Sequence, residues 1–269
     1  MKRRYFLAFF SSLLLALLIG WQLPQRGAIA QANRTILVSA AASLQDALEE
    51  IKPLFEEANP GIRVNYNFGS SGALQQQIQQ GAPADVFFSA GIPQMDALEQ
   101  DNLLLEGSRQ NLLSNRLVLI VPINSTLELS DFQDLTNSSI ERISVGEFRS
   151  VPAGQYTEQV FSSLGILEDL QPKLVFANNV RGVLAAVESG NVDAGVVYST
   201  DARISDQVRV VATADAELHT PITYPIAIIR DRPNTPAAEA FVEYLTGDSA
   251  MTIFEDFGFS RFEAKDAAS

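Results

Sequence analysis

Residues 34–90 read RTILVSAAASLQDALEEIKPLFEEANPGIRVNYNFGSSGALQQQIQQGAPADVFFSA, and this stretch decides the fold. Three short apolar runs, RTILVSAA, IRVNYNF and ADVFFSA, are separated by SLQDALEEIKPLFEEA and GALQQQIQQG. In the first separating segment Leu44, Leu48, Ile51 and Phe55 recur at helical spacing, while Gln45, Asp46, Glu49 and Glu56 fall on other faces. A period of 3.6 gathers the four apolar residues into one stripe, so the helix buries one face. Strand, helix, strand, helix, strand is the order of an α/β sheet, because a crossover helix is what returns the chain to begin a parallel neighbour.

The same alternation resumes at RLVLIVP (116–122) and runs through RISVGEF, AGQYTEQVFSSLG, KLVFANN, VRGVLAAVESG, AGVVYS and QVRVVAT. YPIAIIR (224–230) adds a strand, and residues 234–259 supply two terminal helices, the first with Thr235 expected as N-cap, Pro236 at its first position and Gly247 just past its end. The reading is two α/β lobes, each a mixed sheet flanked by helices: 34–116 plus 230–269, and 122–223. Strands 117–121 and 224–229 are expected to cross between them as a hinge, letting the lobes close on something held between.

Residues 1–30 stand apart. MKRRYFLAFFSSLLLALLIGW opens with Lys2, Arg3 and Arg4 and continues apolar, and Ala28 and Ala30 are small residues at the expected cut, so this segment reads as a secretory signal cleaved before Gln31. An uncleaved membrane anchor is the alternative; no Cys follows the run to carry a lipid. Four of the 19 Lys and Arg precede residue 31 and none of the 32 Asp and Glu does, so the remainder falls from a net charge of −13 to −17. Such a surface excludes nucleic acid as a partner. It also repels anions at long range, so an anion site must act locally, within the roughly 8 Å screening length of physiological salt.

Zero cysteines exclude disulfides and thiol chemistry, and a single histidine, His219, in the polar AELHTP, reads as an exposed loop residue. There is no G-x-S-x-G elbow for a serine nucleophile. A carboxylate-pair hydrolase stays open on composition, although no spacing singles out a pair. A ferric-ion binder would cluster its tyrosines; Tyr66, Tyr156, Tyr198, Tyr224 and Tyr244 are dispersed along the chain.

Five segments remain, each at a strand end or helix start. In AAASLQDAL, Ser43 is expected as an N-cap with Asp46 three residues on, approximating a capping box. In NFGSSGAL, the small Ser70, Ser71 and Gly72 allow close approach to the backbone. In SVPAGQY, Pro152 preorganises a first helical turn while Ala153 and Gly154 leave amides open. In ANNVRG, Asn178 or Asn179 is the cap and Val180 presents its amide. Tyr198 ends the buried strand DAGVVY with a phenol that can donate. Each alone is equally a capped helix, a turn or a core tyrosine. Together they lie on the edge where open α/β sheets bind ligands, and several helix N-termini can replace the hydration shell of a small anion without a lysine or arginine. A lining made mainly of donors favours a fully deprotonated oxyanion, since a protonated one wants an acceptor.

AAASL, GAPADVFFSA, VPAGQY, NVRGVLAAVESG and VVYSTDA, in this order between Ile36 and Phe259, resemble the periplasmic molybdate-binding proteins of ABC importers. The resemblance implies a type II-like periplasmic binding protein fold that performs no catalysis and needs no cofactor. It implies that molybdate, and tungstate with it, is held by the hydroxyls of Ser43, Ser71 and Tyr198 and the backbone amides of Ala153 and Val180. No metal is implied beyond the molybdenum of the oxyanion; sulfate and ferric ion are the alternative ligands. A monomer that delivers its anion to a membrane permease is the expected assembly. Two departures stand out: GEFRS brings Arg149 toward the expected site mouth, and GSSGAL has Gly72 and Ala73 where further hydroxyls can occur. Arg181, beside Val180, is expected to be structural, as are Asp85 and Asp201.

Overall fold

The computed structural model describes residues 34–263; the proposed signal segment and its cleavage point lie outside them. The first sheet has six strands in the order β11-β4-β10-β3-β1-β2. It contains β1 (Arg34–Ala41), β2 (Ile62–Gly69), β3 (Val86–Phe88), β4 (Gln110–Ser114), β10 (Thr223–Ile228) and β11 (Ser260–Arg261). The second has five strands in the order β7-β6-β8-β5-β9, from β5 (Leu117–Pro122), β6 (Ile143–Gly146), β7 (Leu174–Ala177), β8 (Ala194–Tyr198) and β9 (Val208–Thr213).

Both sheets are mixed for the same reason. Strands linked by helices pair in parallel, β1 with β2 and β3, and β6 with β7 and β8. Strands that enter from the other lobe pair antiparallel, β10 against β3 and β4, and β5 against β8 and β9. The strands expected at the crossings, β5 and β10, are each paired on both sides within one sheet. The chain changes sheet in the short link Asn115–Arg116 and again in residues 214–222. An apolar strand such as LVLIVP, buried along Leu117–Val121, finds its backbone partners inside a sheet, and the polar residues before it are left for the crossing.

The helices are α1 (Gln45–Ala58), α2 (Ser71–Gln79), α3 (Ile92–Gln100), α4 (Pro152–Ser163), α5 (Leu167–Leu170), α6 (Val180–Glu188), α7 (Ser199–Arg203), α8 (Thr235–Thr246) and α9 (Asp248–Asp256). The predicted stripe of α1 is buried: Leu48, Ile51 and Phe55 are fully enclosed, and Phe55 packs edge-on against Phe241 of α8 with ring centroids 5.0 Å apart. Each such side chain contributes about 1.5–3 kcal/mol by leaving water. Two caps differ from expectation. Asn234 rather than Thr235 precedes α8, and the Thr235 hydroxyl donates back to the Arg232 carbonyl at 2.8 Å. Ser43 does not cap α1: it sits inside a 3₁₀ turn, Ala42–Leu44, and Leu44 precedes the helix without a side-chain cap. No helix among the described residues is long and apolar enough to cross a membrane.

Candidate functional site

Four of the five predicted segments lie just after the carboxyl end of a parallel strand. The Ala42–Leu44 turn follows β1 and α2 follows β2; in the second sheet α4 follows β6 and α6 follows β7. The fifth, Tyr198, closes β8. Ser70 caps α2 by accepting the Ala73 amide at 3.3 Å, and Asn179 caps α6 by accepting the Gly182 amide at 2.9 Å, as the ANN motif predicts. Pro152 opens α4, and Gly154 lets that helix seat on the end of β6, since a β-carbon there would stand 2.2 Å from the Gly146 carbonyl oxygen. Ser71, Ala153 and Val180 thereby present first-turn amides, which have no acceptor within their own helices.

Ser43, Ser71, Ala153, Val180 and Tyr198 line one cavity of about 10 Å³ between the lobes, the room a single water-sized guest needs. Its remaining lining residues are Ala, Gly, Ser, Val, Pro and Asn, so no acid or base reaches it. Arg149, expected near the mouth, instead pairs with Glu147 at 3.0 Å and is 92 % exposed. Arg181 is tied between carboxylates, to Asp46 of the opposite lobe at 2.5 Å and to buried Asp201 at 2.8 Å. Asp46 therefore serves an ion pair rather than a capping box. Burial pushes the Asp201 carboxyl up to about 6, against the opposing pull of Arg181 and of the Tyr198 amide, which donates to it at 3.3 Å. Asp85 is structural too, accepting the Leu37 amide at 2.7 Å.

The hydroxyls are set by their neighbours. Ser71 Oγ accepts the Ala90 amide at 2.9 Å, leaving its own hydrogen for another acceptor. Tyr198 Oη reaches the Ala90 carbonyl across the lobes at 3.5 Å. Ser43 Oγ lies 2.9 Å from Tyr224 Oη. Burial holds the Tyr198 and Tyr224 phenols well above the ordinary tyrosine range, so both are neutral. Ala90, Asn115 and Tyr224 were not singled out from sequence; Tyr224 is 181 positions from Ser43, and no local pattern connects them. His219, expected to be exposed, is partly covered and packs against Tyr156 with ring centroids 5.9 Å apart, with no contact to Ser43.

The lobes touch around the cavity: the Gly72 amide donates to the Ser150 carbonyl at 3.0 Å, and Gln94 Nε2 to Gln155 Oε1 at 3.0 Å. A site between two α/β lobes, closed by direct contacts and built from amides and hydroxyls, defines a binding protein. Residues 36–260 match the family described as bacterial extracellular solute-binding protein, and the chain belongs to that family. It is 44 % identical over 226 residues to the Bacillus subtilis (strain 168) protein named "Putative ABC transporter substrate-binding lipoprotein YvgL", covering 84 % of this chain and 86 % of that one. It is 36 % identical to the molybdate-binding protein ModA of Haemophilus influenzae, covering 85 % of this chain and 91 % of the relative. Among solved structures, the periplasmic molybdate-binding protein of Azotobacter vinelandii superposes with a TM-score of 0.75 at 27 % identity, over 85 % of this chain and all of that one. The fold is that of type II periplasmic binding proteins, and both family and fold are those of non-catalytic solute-binding proteins.

Proposed function

We propose that this protein captures molybdate, and tungstate with it, between its lobes and delivers it to the membrane permease of an ABC importer. Ser43, Ser71 and Tyr198 donate through hydroxyls, and Ala153 and Val180 through backbone amides. The observation that carries the reading is the lining of the cavity: donors from both lobes, no side-chain charge, and space only for a compact guest. Helix N-termini supply the attraction that the acidic surface withholds. A four-oxygen ion parts the walls slightly and then touches both lobes, so it favours the shut state over the open one. The lack of an acid in the lining speaks against ferric ion, a hard cation that takes anionic oxygen ligands. Among the described residues there is no cluster of three acids or histidines able to hold a metal. Export follows from residues 1–30 acting as a signal cleaved before Gln31, and the protein works as a monomer.

A melting scan with molybdate, tungstate, sulfate, phosphate and ferric ion tests this. A ligand at a hundredfold over its dissociation constant stabilises the fold by about 2.7 kcal/mol. Upward shifts with molybdate and tungstate are expected; a shift with ferric ion and with neither of these two overturns the proposal.

A further inference from the structure

We infer that Arg181 and Asp46 are positioning residues for ligand capture: an ion-pair clasp across the lobes, made in the shut state, that holds the Val180 wall of the cavity against the Ser43 wall. The inference rests on the anion-binding reading above and adds what fastens the lobes beside the guest. Arg181 follows Val180 at the start of α6, and Asp46 stands three residues after Ser43 in the first turn of α1. Helix α6 packs against the Ala42–Leu44 turn, so the two charged side chains meet beside two of the segments that line the hollow, while neither lines it.

Each partner is held ready by its own lobe. Asp201, fully buried in α7, faces Arg181 Nε at 2.8 Å, a charge contact and not an aligned hydrogen bond. Its other oxygen accepts the Tyr198 amide at 3.3 Å, so the strand end that carries Tyr198 fixes the carboxylate. Asp201 thus holds the Nε side of the guanidinium within the second lobe, and Nη2 is left to donate across the lobes to Asp46 Oδ2. A guanidinium serves two carboxylates at once because its donors are planar and fixed in direction. The Asp46 side chain is 40 % exposed and belongs to the first turn of a helix, where a negative charge is stabilised with or without a partner. When the lobes part, Arg181 keeps Asp201, Asp46 keeps water and the helix end, and only the bond between them is lost. The clasp therefore adds to the shut state alone.

Charge gives the test its sign. Removing the Asp46 carboxylate takes a negative charge from beside a site for a dianion, which by electrostatics alone tightens binding; loss of a clasp weakens it. Calorimetry and stopped-flow dissociation with molybdate on the wild type, Asp46→Asn and Asp46→Glu separate the two. The expected result for Asp46→Asn is a loss of affinity of roughly two- to fivefold, the range of a partly exposed ion pair. Faster dissociation at an unchanged association rate carries that loss, and the melting temperature without ligand changes little. Asp46→Glu, which keeps the charge and can still reach Arg181, recovers most of the affinity. In an Arg181→Gln, Asp201→Asn background, which removes the buried carboxylate together with its countercharge, Asp46→Asn is expected to leave affinity unchanged or raise it. Affinity of Asp46→Asn equal to or tighter than wild type overturns the clasp alone, as does an equal loss in both backgrounds. Should the background variant not fold, Asp46→Glu decides: recovery supports the clasp, and a loss as large as that of Asn overturns it. Wild-type protein that gives neither heat nor a melting shift with molybdate, tungstate or sulfate overturns the anion-binding reading, and this inference with it.

Discussion

Gly72 tests whether binding requires the two lobes to meet. It is the second residue of α2, and a β-carbon added there would stand 2.4 Å from the Ser150 carbonyl oxygen and 2.8 Å from the Ser150 Cα, both backbone atoms of the opposite lobe. Ordinary contact begins near 3.4 Å, so Gly72→Ala forces the lobes about 1 Å apart at this point, and no side-chain rotation relieves it. Overpacking of this kind costs about 1–3 kcal/mol, which falls on the shut state alone and corresponds to a loss of affinity of roughly five- to a hundredfold. In the open protein the same change replaces a helical glycine by the best helix former, a gain of about 0.8–1.0 kcal/mol. Calorimetry with molybdate, beside a melting curve without ligand, reads both effects. The expected pair is weaker binding with an unchanged or higher melting temperature. Affinity equal to wild type refutes the reasoning, because it means the anion is held without the Gly72–Ser150 contact; a lower melting temperature without ligand means the damage lies within one lobe.

Tyr198→Phe removes a donor from the cavity wall and is expected to weaken molybdate binding by roughly 1.5–3 kcal/mol, the worth of a hydrogen bond to a charged group; unchanged affinity in titration calorimetry removes Tyr198 from the site. Asp201→Asn is expected to alter the pH dependence of unfolding. Burial raises the Asp201 carboxyl from its ordinary value of 3.8 to about 6 in the folded protein, so its contribution to stability is fully present below the unfolded value and lost as pH rises through about 6. Denaturant titrations across this window should show the stability difference between wild type and variant moving in favour of wild type as the pH falls, and flat above it; a difference independent of pH refutes the assignment.

The two lobes, the order of their elements and the strand ends and helix starts that line the cavity were legible in the chain because they rest on local physics. Leu48, Ile51 and Phe55 repeat at the helical period and are buried together; Asn179 precedes a helix and caps it. Where reading failed, a local rule was overruled by a distant partner. Ser43 before Leu44 and Asp46 has the pattern of a cap, yet its hydroxyl goes to Tyr224 and Asp46 goes to Arg181, 135 positions away. RLVLIVP and YPIAIIR, expected as the crossing strands, each satisfy their backbone inside a sheet.

By itself, then, the sequence determined which residues start helices, which end strands, and that none of the five segments offers a thiol or an imidazole, because capping and periodicity act over a few residues. Only the tertiary structure decided that five such ends meet in one uncharged hollow, where the chain crosses between sheets, and which partners the hydroxyls meet. Those depend on partners that no local pattern links, 19 positions apart for Ser71 and Ala90 and 181 for Ser43 and Tyr224, and the partner of a hydroxyl is set by what the fold brings beside it.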